Sequence, residues 1–326
     1  MDLGPHNVSV SPIDYRYGRP EAKAIWSREG RHSRQLAVER ALVSAHAKMG
    51  RVSAEHDDEI GRISVPEIVT ADRVDEIEQV TRHDIMALTK AMAEQAGDAA
   101  WCIHLGATSN DIVDTAVALQ IKDSLRMQKE ALSALISTLS DLARRERDTV
   151  MLGRTHGQAA VPITFGLKIA VFIDEFVRHY ERLLEAEGRV TAGKFLGAVG
   201  TGAAQGDGAM ELQRLILESL GLAVPVATTQ VVGRDRYIEW VSWMANTATS
   251  VEKLLQEIRN LQRSEIAEVS EWFDVKNQVG SSTMAHKRNP ITAENACGLA
   301  RIVRSMIIPS YAVSYTHLTL PTNREV

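Results

Sequence analysis

At 326 residues with 44% apolar content, the chain is long enough to bury a large core, and its length suggests about two domains. A formal net charge of −5, with no Lys/Arg run, excludes the footprint of a nucleic-acid-binding tail. Two cysteines exclude a disulfide framework, and no apolar run is long enough to cross a bilayer, so these bounds describe a cytoplasmic protein with neither membrane nor nucleic acid as a partner.

Residues 1–20 hold Pro5, Pro12 and Pro20 with Gly4 and Gly18, and are expected to form an extended arm without the basic and apolar regions of a signal peptide. From Glu21 the apolar residues Ile25, Trp26, Leu36, Val38, Leu42 and Val43 mark helices, broken near Gly50 and again at Ser64-Val65-Pro66. A single helix is predicted over Ala71–Ala96, ending before Gly97. HLGATSND is a break, with Ser109 and Asn110 reading as an N-cap. A helix then runs from Asp111 to about Arg147, with Val113, Val117, Ile121, Leu125 and Leu132 at three- and four-residue spacings.

GRTHGQAAVP interrupts the pattern, and Ile163 to about Arg189 is helical again. Gly193–Gly208 reads as a flexible glycine-rich turn; no strand precedes Gly200-Thr-Gly202 and no Lys-Ser/Thr follows, which argues against a dinucleotide or phosphate loop. Tyr237–Phe273 follows a near-heptad and, if continuous, would be about 55 Å long at 1.5 Å per residue. Helices of that length belong in bundles. With few strand-like runs, the fold class is all-α, an elongated helical bundle.

Three polar interruptions carry residues capable of chemistry: TRHD (81–84) with GATSND (106–111), GRTHGQ (153–158), and QVGSSTMAHKRNPITAEN (278–295). A single histidine at a helix end, such as His83 or His156, is more often a cap or a solvated side chain than a functional group. His32, His46, His56, His104 and His179 lack ligand spacing with cysteines or carboxylates, so no metal site is expected. The last stretch is more specific. A serine hydroxyl is a feeble base until deprotonated, and its alkoxide needs nearby positive charge and N–H donors. Lys287 supplies charge, Asn289 an amide, and Gly280 close backbone approach. The same equipment suits a dicarboxylate, whose deprotonation beside a carboxylate builds a second negative charge.

GSSTMAHKRNP (280–290) is very similar to the signature loop of the fumarase/aspartase superfamily, usually G-S-S-x-M-P-x-K-x-N-P. The resemblance extends over residues 10–311 and implies that family's fold: an elongated helical bundle with a smaller N-terminal helical domain. Within the superfamily, YRYGRPEAKAIW (15–26), TRHD, GATSNDIVDTA, GRTHGQAAVPITFG and RDRYIEW (234–240) resemble the branch acting in purine biosynthesis. Such enzymes split succinylated purine nucleotides, and the corresponding succinylated imidazole carboxamide ribotide, releasing fumarate without a cofactor. Argininosuccinate lyase shares the signature but not the Arg-Tyr arm combined with Thr-Arg-His-Asp. It is the nearest alternative, together with a non-catalytic structural protein on the same scaffold.

The resemblance also implies roles. Ser281 would take the Cβ proton, His156 would protonate the departing nitrogen, and His83 would assist, with Arg82 and Asp84 beside it. Arg16 and Tyr17 would hold the phosphate, while Thr108, Ser109, Gln230, Ser282, Lys287, Arg288, Asn289 and Asn295 would complete the substrate site. The family forms homotetramers whose sites draw loops from three subunits.

Two departures stand out. Ala285 occupies the signature's proline position, which should leave the loop less stiff. The family-like text also stops near Tyr311, and AVSYTHLTLPTNREV (312–326) looks like a translated sequencing-library adapter on a truncated frame. The expected organisation is therefore an N-terminal helical domain with its arm (1–106), an incomplete central bundle (107–311) and a non-native tail (312–326). The 326-residue stretch is expected to be inactive alone.

Overall fold

The computed structural model describes residues 11–284 and 286–313. Ala285, the first half of the expected arm and almost all of the expected tail lie outside the described residues. The chain packs into two compact units, residues up to 127 with 187–233, and residues 128–186 with those from 234 onward.

In the first unit the helices are α1 (Pro20–Trp26), α2 (Arg28–Lys48), α3 (Ala54–Ile63), α4 (Ala71–Thr81), α5 (Asp84–Ala93), the first half of α6 (Ser109–Arg145) and α8 (Ala209–Ser219). Side-chain caps fix several starts: Ser27 accepts from the Gly30 N–H (3.0 Å), Ser53 from His56 (3.2 Å) and Thr70 from Arg73 (3.2 Å). In α2, Leu36, Val38, Ala41, Leu42, Val43 and Ala45 are all buried, covering most of its circumference, so it is the central helix of this unit. Around it pack Ile60 and Ile63 from α3, Leu88 and Met92 from α5, Ile112 and Ala116 from α6, and Leu212 and Ile216 from α8.

The structure departs from the sequence-based expectations at several points. The described part of the arm is not wholly extended, since Ile13–Tyr17 forms a π-helical turn and Pro20 opens α1. The helix expected over 71–96 is two helices, because Arg82 takes a left-handed conformation (φ 54°) and His83 an extended one. Asn110 is not a cap, and Ser109 is already the first helical residue of α6. The first half of the glycine-rich segment is no flexible turn, since Thr191–Gly197 are all buried. Helix α8 was not anticipated.

The second unit holds the rest of α6, a hairpin of β1 (Val150–Thr155) and β2 (Gln158–Thr164), most of α7 (Phe165–Val190), α9 (Asp235–Leu261), α10 (Ile291–Ser305) and α11 (Ile307–Val313). Helices α7 and α9 are joined by buried polar bonds, and Phe172 and Phe176 of α7 and Leu254 of α9 are buried. Ser250 Oγ donates to Glu175, His179 Nε2 meets Ser250 Oγ at 2.8 Å, and Trp243 Nε1 donates to the His179 carbonyl at 2.8 Å. These side chains thus satisfy one another across the two helices, which fixes their register. Glu252 of α9 pairs with Arg304 of α10.

The hairpin was missed by the sequence reading. Its strands are antiparallel, with Thr155 opposite Gln158, so His156-Gly157 is a two-residue connection. Both connecting residues have positive φ (54° and 76°), as the turn that matches strand twist demands. A bulge falls between Leu152 and Arg154, where a Cβ on Gly153 would lie 2.4 Å from the Val161 carbonyl oxygen.

The heptad pattern over 237–273 does not make one helix, because α9 stops at Leu261. Ala267 adopts φ 52°, its N–H donates to the Arg263 carbonyl (2.7 Å), and the Glu268 N–H returns to the Leu261 carbonyl (3.0 Å). The chain therefore doubles back and leaves Trp272 84% exposed. After Pro290 the chain is helical again, with α10 ending at Ser305 and α11 starting at Ile307.

Candidate active site

The residues singled out above fall into two groups, one in each unit. In the first unit, His83 is the N-cap of α5, and its Nδ1 accepts the Met86 N–H at 3.2 Å. In the neutral ring this places the proton on Nε2, which lies 3.4 Å from Ser109 Oγ at the start of α6. The structure therefore brings TRHD and GATSND together. Asp84 caps its own helix through the Ile85 N–H (2.8 Å) and pairs with Arg31 at 3.3 Å. Arg82 is exposed at the preceding turn. Thr108 is half-buried, and its N–H donates to Asp111 Oδ2 at 2.8 Å.

Arg16 and Tyr17 lie exposed on the N-terminal turn, the guanidinium 5.7 Å from the ring centroid. Gln230 is exposed and joins neither cluster.

In the second unit the signature loop is built around Gly280. A Cβ there would lie 1.9 Å from the Lys287 carbonyl oxygen, so only glycine lets the two strands of the loop approach. Asn289 Nδ2 donates to the Gly280 carbonyl (3.1 Å) and closes the loop at its base. Ser281 Oγ accepts from the backbone N–H groups of Thr283 (3.3 Å) and Met284 (3.2 Å). Two N–H donors converging on one hydroxyl oxygen stabilise its deprotonated form. Lys287 is exposed, and Arg288 lies 5.2 Å above the Phe273 ring. Ser282 is exposed on the loop, and Asn295 is exposed in the first turns of α10. His156 stands exposed at the hairpin tip.

Four side chains that the sequence reading overlooked hold these parts. Arg154 of the hairpin forms a two-pronged pair with Glu268 (2.9 and 2.6 Å), and the guanidinium holds that carboxyl below its usual range. Gln262 accepts the Glu271 N–H at 2.9 Å and donates to the Arg288 carbonyl at 3.3 Å, tying the end of α9 to the signature loop. Glu271 accepts the Thr292 and Ala293 N–H groups (3.2 and 2.7 Å), capping α10 from a distance of twenty-odd residues. No local pattern marks such a long-range cap. A cleft of about 720 Å³ lies between the loop and the end of α9, lined by Arg259, Arg263, Met284, Lys287, Arg288 and Asn289. Among the described residues no group of three or more His, Cys, Asp or Glu side chains could hold a metal ion, and no helix is long and apolar enough to cross a membrane.

The lyase family's sequence pattern matches residues 14–305, which takes in helices of both units and the serine loop. The chain belongs to that family. Among curated relatives, the adenylosuccinate lyase of Pyrococcus abyssi is 50% identical over 303 residues, 93% of this chain and 67% of that protein. The Bacillus subtilis adenylosuccinate lyase is 40% identical, aligned over 91% of this chain and 67% of its own length. Of solved structures, the 3-carboxy-cis,cis-muconate lactonizing enzyme of Pseudomonas putida superposes with TM-score 0.83 at 32% identity, covering 93% of this chain and 67% of that one. A fumarate lyase from Mesorhizobium sp. BNC1 gives TM-score 0.78 at 31% identity, covering 92% and 71%. The all-α fold and its membership in the fumarase-like lyases agree with the sequence reading.

Proposed function

We infer that the chain carries adenylosuccinate lyase chemistry: β-elimination of fumarate from adenylosuccinate, leaving AMP, and from the succinylated imidazole carboxamide ribotide, leaving its amide. Relatives of that activity at 40–50% identity over most of the chain support the substrate class. The observation that carries the mechanism is the environment of Ser281 Oγ. As the base, Ser281 would take a proton from the succinyl Cβ, with the Thr283 and Met284 N–H groups stabilising the alkoxide. The Cβ electron pair then forms the fumarate double bond to the adjacent Cα as the Cα–N bond breaks. His156 would deliver the proton that the departing nitrogen needs.

His83, oriented by its helix cap, would donate Nε2–H to substrate, with Arg82 and Asp84 flanking it. Thr108, Ser109, Gln230, Ser282 and Asn295 would line the substrate site, and Lys287, Arg288 and Asn289 would meet the dicarboxylate. Arg16 and Tyr17 would bind the phosphate, for which a forked guanidinium is suited. We further propose a homotetramer in the cytoplasm, with sites assembled from several subunits and the chain organised as an N-terminal domain (1–106) and a central bundle (107–311). The apolar Leu167, Val171 and Leu184, about half exposed along α7, favour burial against another copy.

The test is fumarate release from adenylosuccinate, followed by absorbance, in a chain extended to the length of the relatives and in its Ser281→Ala variant. Loss of turnover by a factor of about 10² or more with substrate binding retained supports the base role. Comparable turnover in the variant removes it.

A further inference from the structure

Asp111 and Lys194 have fully buried side chains, and the Lys194 ammonium is hydrogen-bonded to Asp111 Oδ1. The reaction scheme uses neither. Burying two opposite charges costs desolvation that mutual attraction alone seldom offsets, and an apolar pair of similar size commonly gives equal or better stability. The remaining bonds of the pair run to the backbone of two loops. Asp111 Oδ2 accepts the Thr108 N–H at 2.8 Å, and the Asp111 N–H donates to the Thr108 carbonyl at 2.8 Å. Lys194 Nζ donates to the Gly197 carbonyl at 3.1 Å. Thr115 Oγ1 accepts the Lys194 N–H (3.1 Å) and lies 3.2 Å from the Lys194 carbonyl, so the lysine backbone is fixed to α6 as well.

One residue beyond Thr108, Ser109 Oγ meets His83 Nε2 at 3.4 Å. A chain of contacts therefore leads from the buried ammonium, through one carboxylate, to the first turn of α6 and on to the imidazole. We propose that the Lys194–Asp111 pair is a positioning device, holding Thr108 and Ser109 from inside the unit so that Ser109 keeps its contact with His83. This rests on the placement of His83 and Ser109 in the substrate site. The pair touches no substrate in this scheme and acts only through the loop it anchors. A charged pair suits the task because its acceptor oxygens are directional, whereas an apolar substitute would leave the Thr108 N–H unpartnered.

The test uses nuclear Overhauser contacts between His83 ring protons and Ser109 Hβ protons, in parent protein and in an Asp111→Leu/Lys194→Met double variant. The buried His32, whose Nε2 contacts the Val69 carbonyl, serves as the internal reference for an intact fold. The expected result is a folded double variant with unchanged His32 resonances and a His83–Ser109 contact weakened at least fivefold. A second variant, Asp111→Asn, keeps an acceptor oxygen but loses the charge, and should weaken the contact to an intermediate degree. In the parent, the Thr108 amide should exchange with solvent as slowly as core amides. An undiminished His83–Ser109 contact in either folded variant, or rapid exchange at Thr108 in the parent, overturns the proposal. In the fumarate assay, Asp111→Asn should lower kcat/KM at least tenfold. The fumarate assay uses a chain extended to the length of the relatives, of which these 326 residues span 67%; such a chain that releases no fumarate refutes the lyase reading, while the contact and exchange measurements still judge the positioning role.

Discussion

The carbonyl oxygen of Lys287 occupies the space where a side chain on Gly280 would begin, 1.9 Å from the position of a Cβ. A contact that short forces the two strands of the signature loop apart. Gly280→Ala should therefore break the Asn289-to-Gly280 bond and move Ser281 away from its N–H donors. Displacements near 1 Å can cost about 10²-fold in rate. We expect a loss of that order in fumarate release with a melting temperature within a few degrees of the parent, because the loop is largely exposed. Normal turnover in Gly280→Ala would contradict this geometry.

Phosphate recognition by the N-terminal turn is tested separately. Removing one charge-assisted guanidinium contact costs about 1.5–3 kcal/mol, so Arg16→Ala should raise KM about tenfold or more. Turnover at saturation should change little, since the phosphate lies away from the breaking bond. A fall in kcat with KM unchanged would assign the arm a different role.

Glu271 serves the N-terminus of α10 with both carboxylate oxygens. Glu271→Ala leaves the Thr292 and Ala293 N–H groups without that acceptor and removes negative charge from a helix N-terminus. The cost should be about 1–2 kcal/mol. Thermal melting should fall by roughly 2–4 °C per kcal/mol for a unit of this size, and Glu271→Gln should fall between parent and alanine. Equal melting temperatures in all three would show that the cap contributes nothing.

His104 and Glu39 give the first unit a pH dependence. Burial pulls the His104 pKa down, but the hydrogen bond (2.7 Å) and charge of the fully buried Glu39, with the charge of Asp111, together outweigh it, leaving the pKa above its ordinary value. A histidine pKa raised by folding contributes stability that is complete below the unfolded value, about 6.5, and that disappears as pH rises through the folded value. His104 also has φ 58°, which asparagine tolerates. The melting difference between parent and His104→Asn should thus be larger at pH 6 than at pH 9. A difference independent of pH would exclude the coupling.

The helical fold was legible because its signals are local. The spacing of Val113, Val117, Ile121 and Leu125 survives as α6, and Gly50 and Pro66 fall where helices break. What escaped was set by distant partners. The near-heptad through Val269 and Trp272 suggested one long helix, but Arg154, Gln262 and the left-handed Ala267 take that segment elsewhere. The hairpin was hidden because its strands contain Gly153 and Pro162 and its turn is His-Gly rather than Asn-Gly or Asp-Gly.

At the candidate site, Gly280, Ser281 and Asn289 could be read as a group because they lie within ten residues. The Thr108-x-x-Asp111 spacing was a capping signal that could have exposed Asp111. Lys194, hidden in what looked like a flexible glycine-rich turn, could not be paired with it from sequence alone.

The left-handed backbone of His156 has a bearing on how its chemistry can be interrogated. A valine, isoleucine or threonine there would strain the two-residue turn before any question of proton transfer arose. Such a variant would report a misfolded hairpin as though it were a missing acid. Asparagine accepts this conformation and lacks the titrating ring, so His156→Asn separates the two effects. Glycine, freer still, also lacks the ring, so comparing it with asparagine probes the turn alone. The choice of replacement at this one position decides whether an inactive protein speaks about chemistry or about shape.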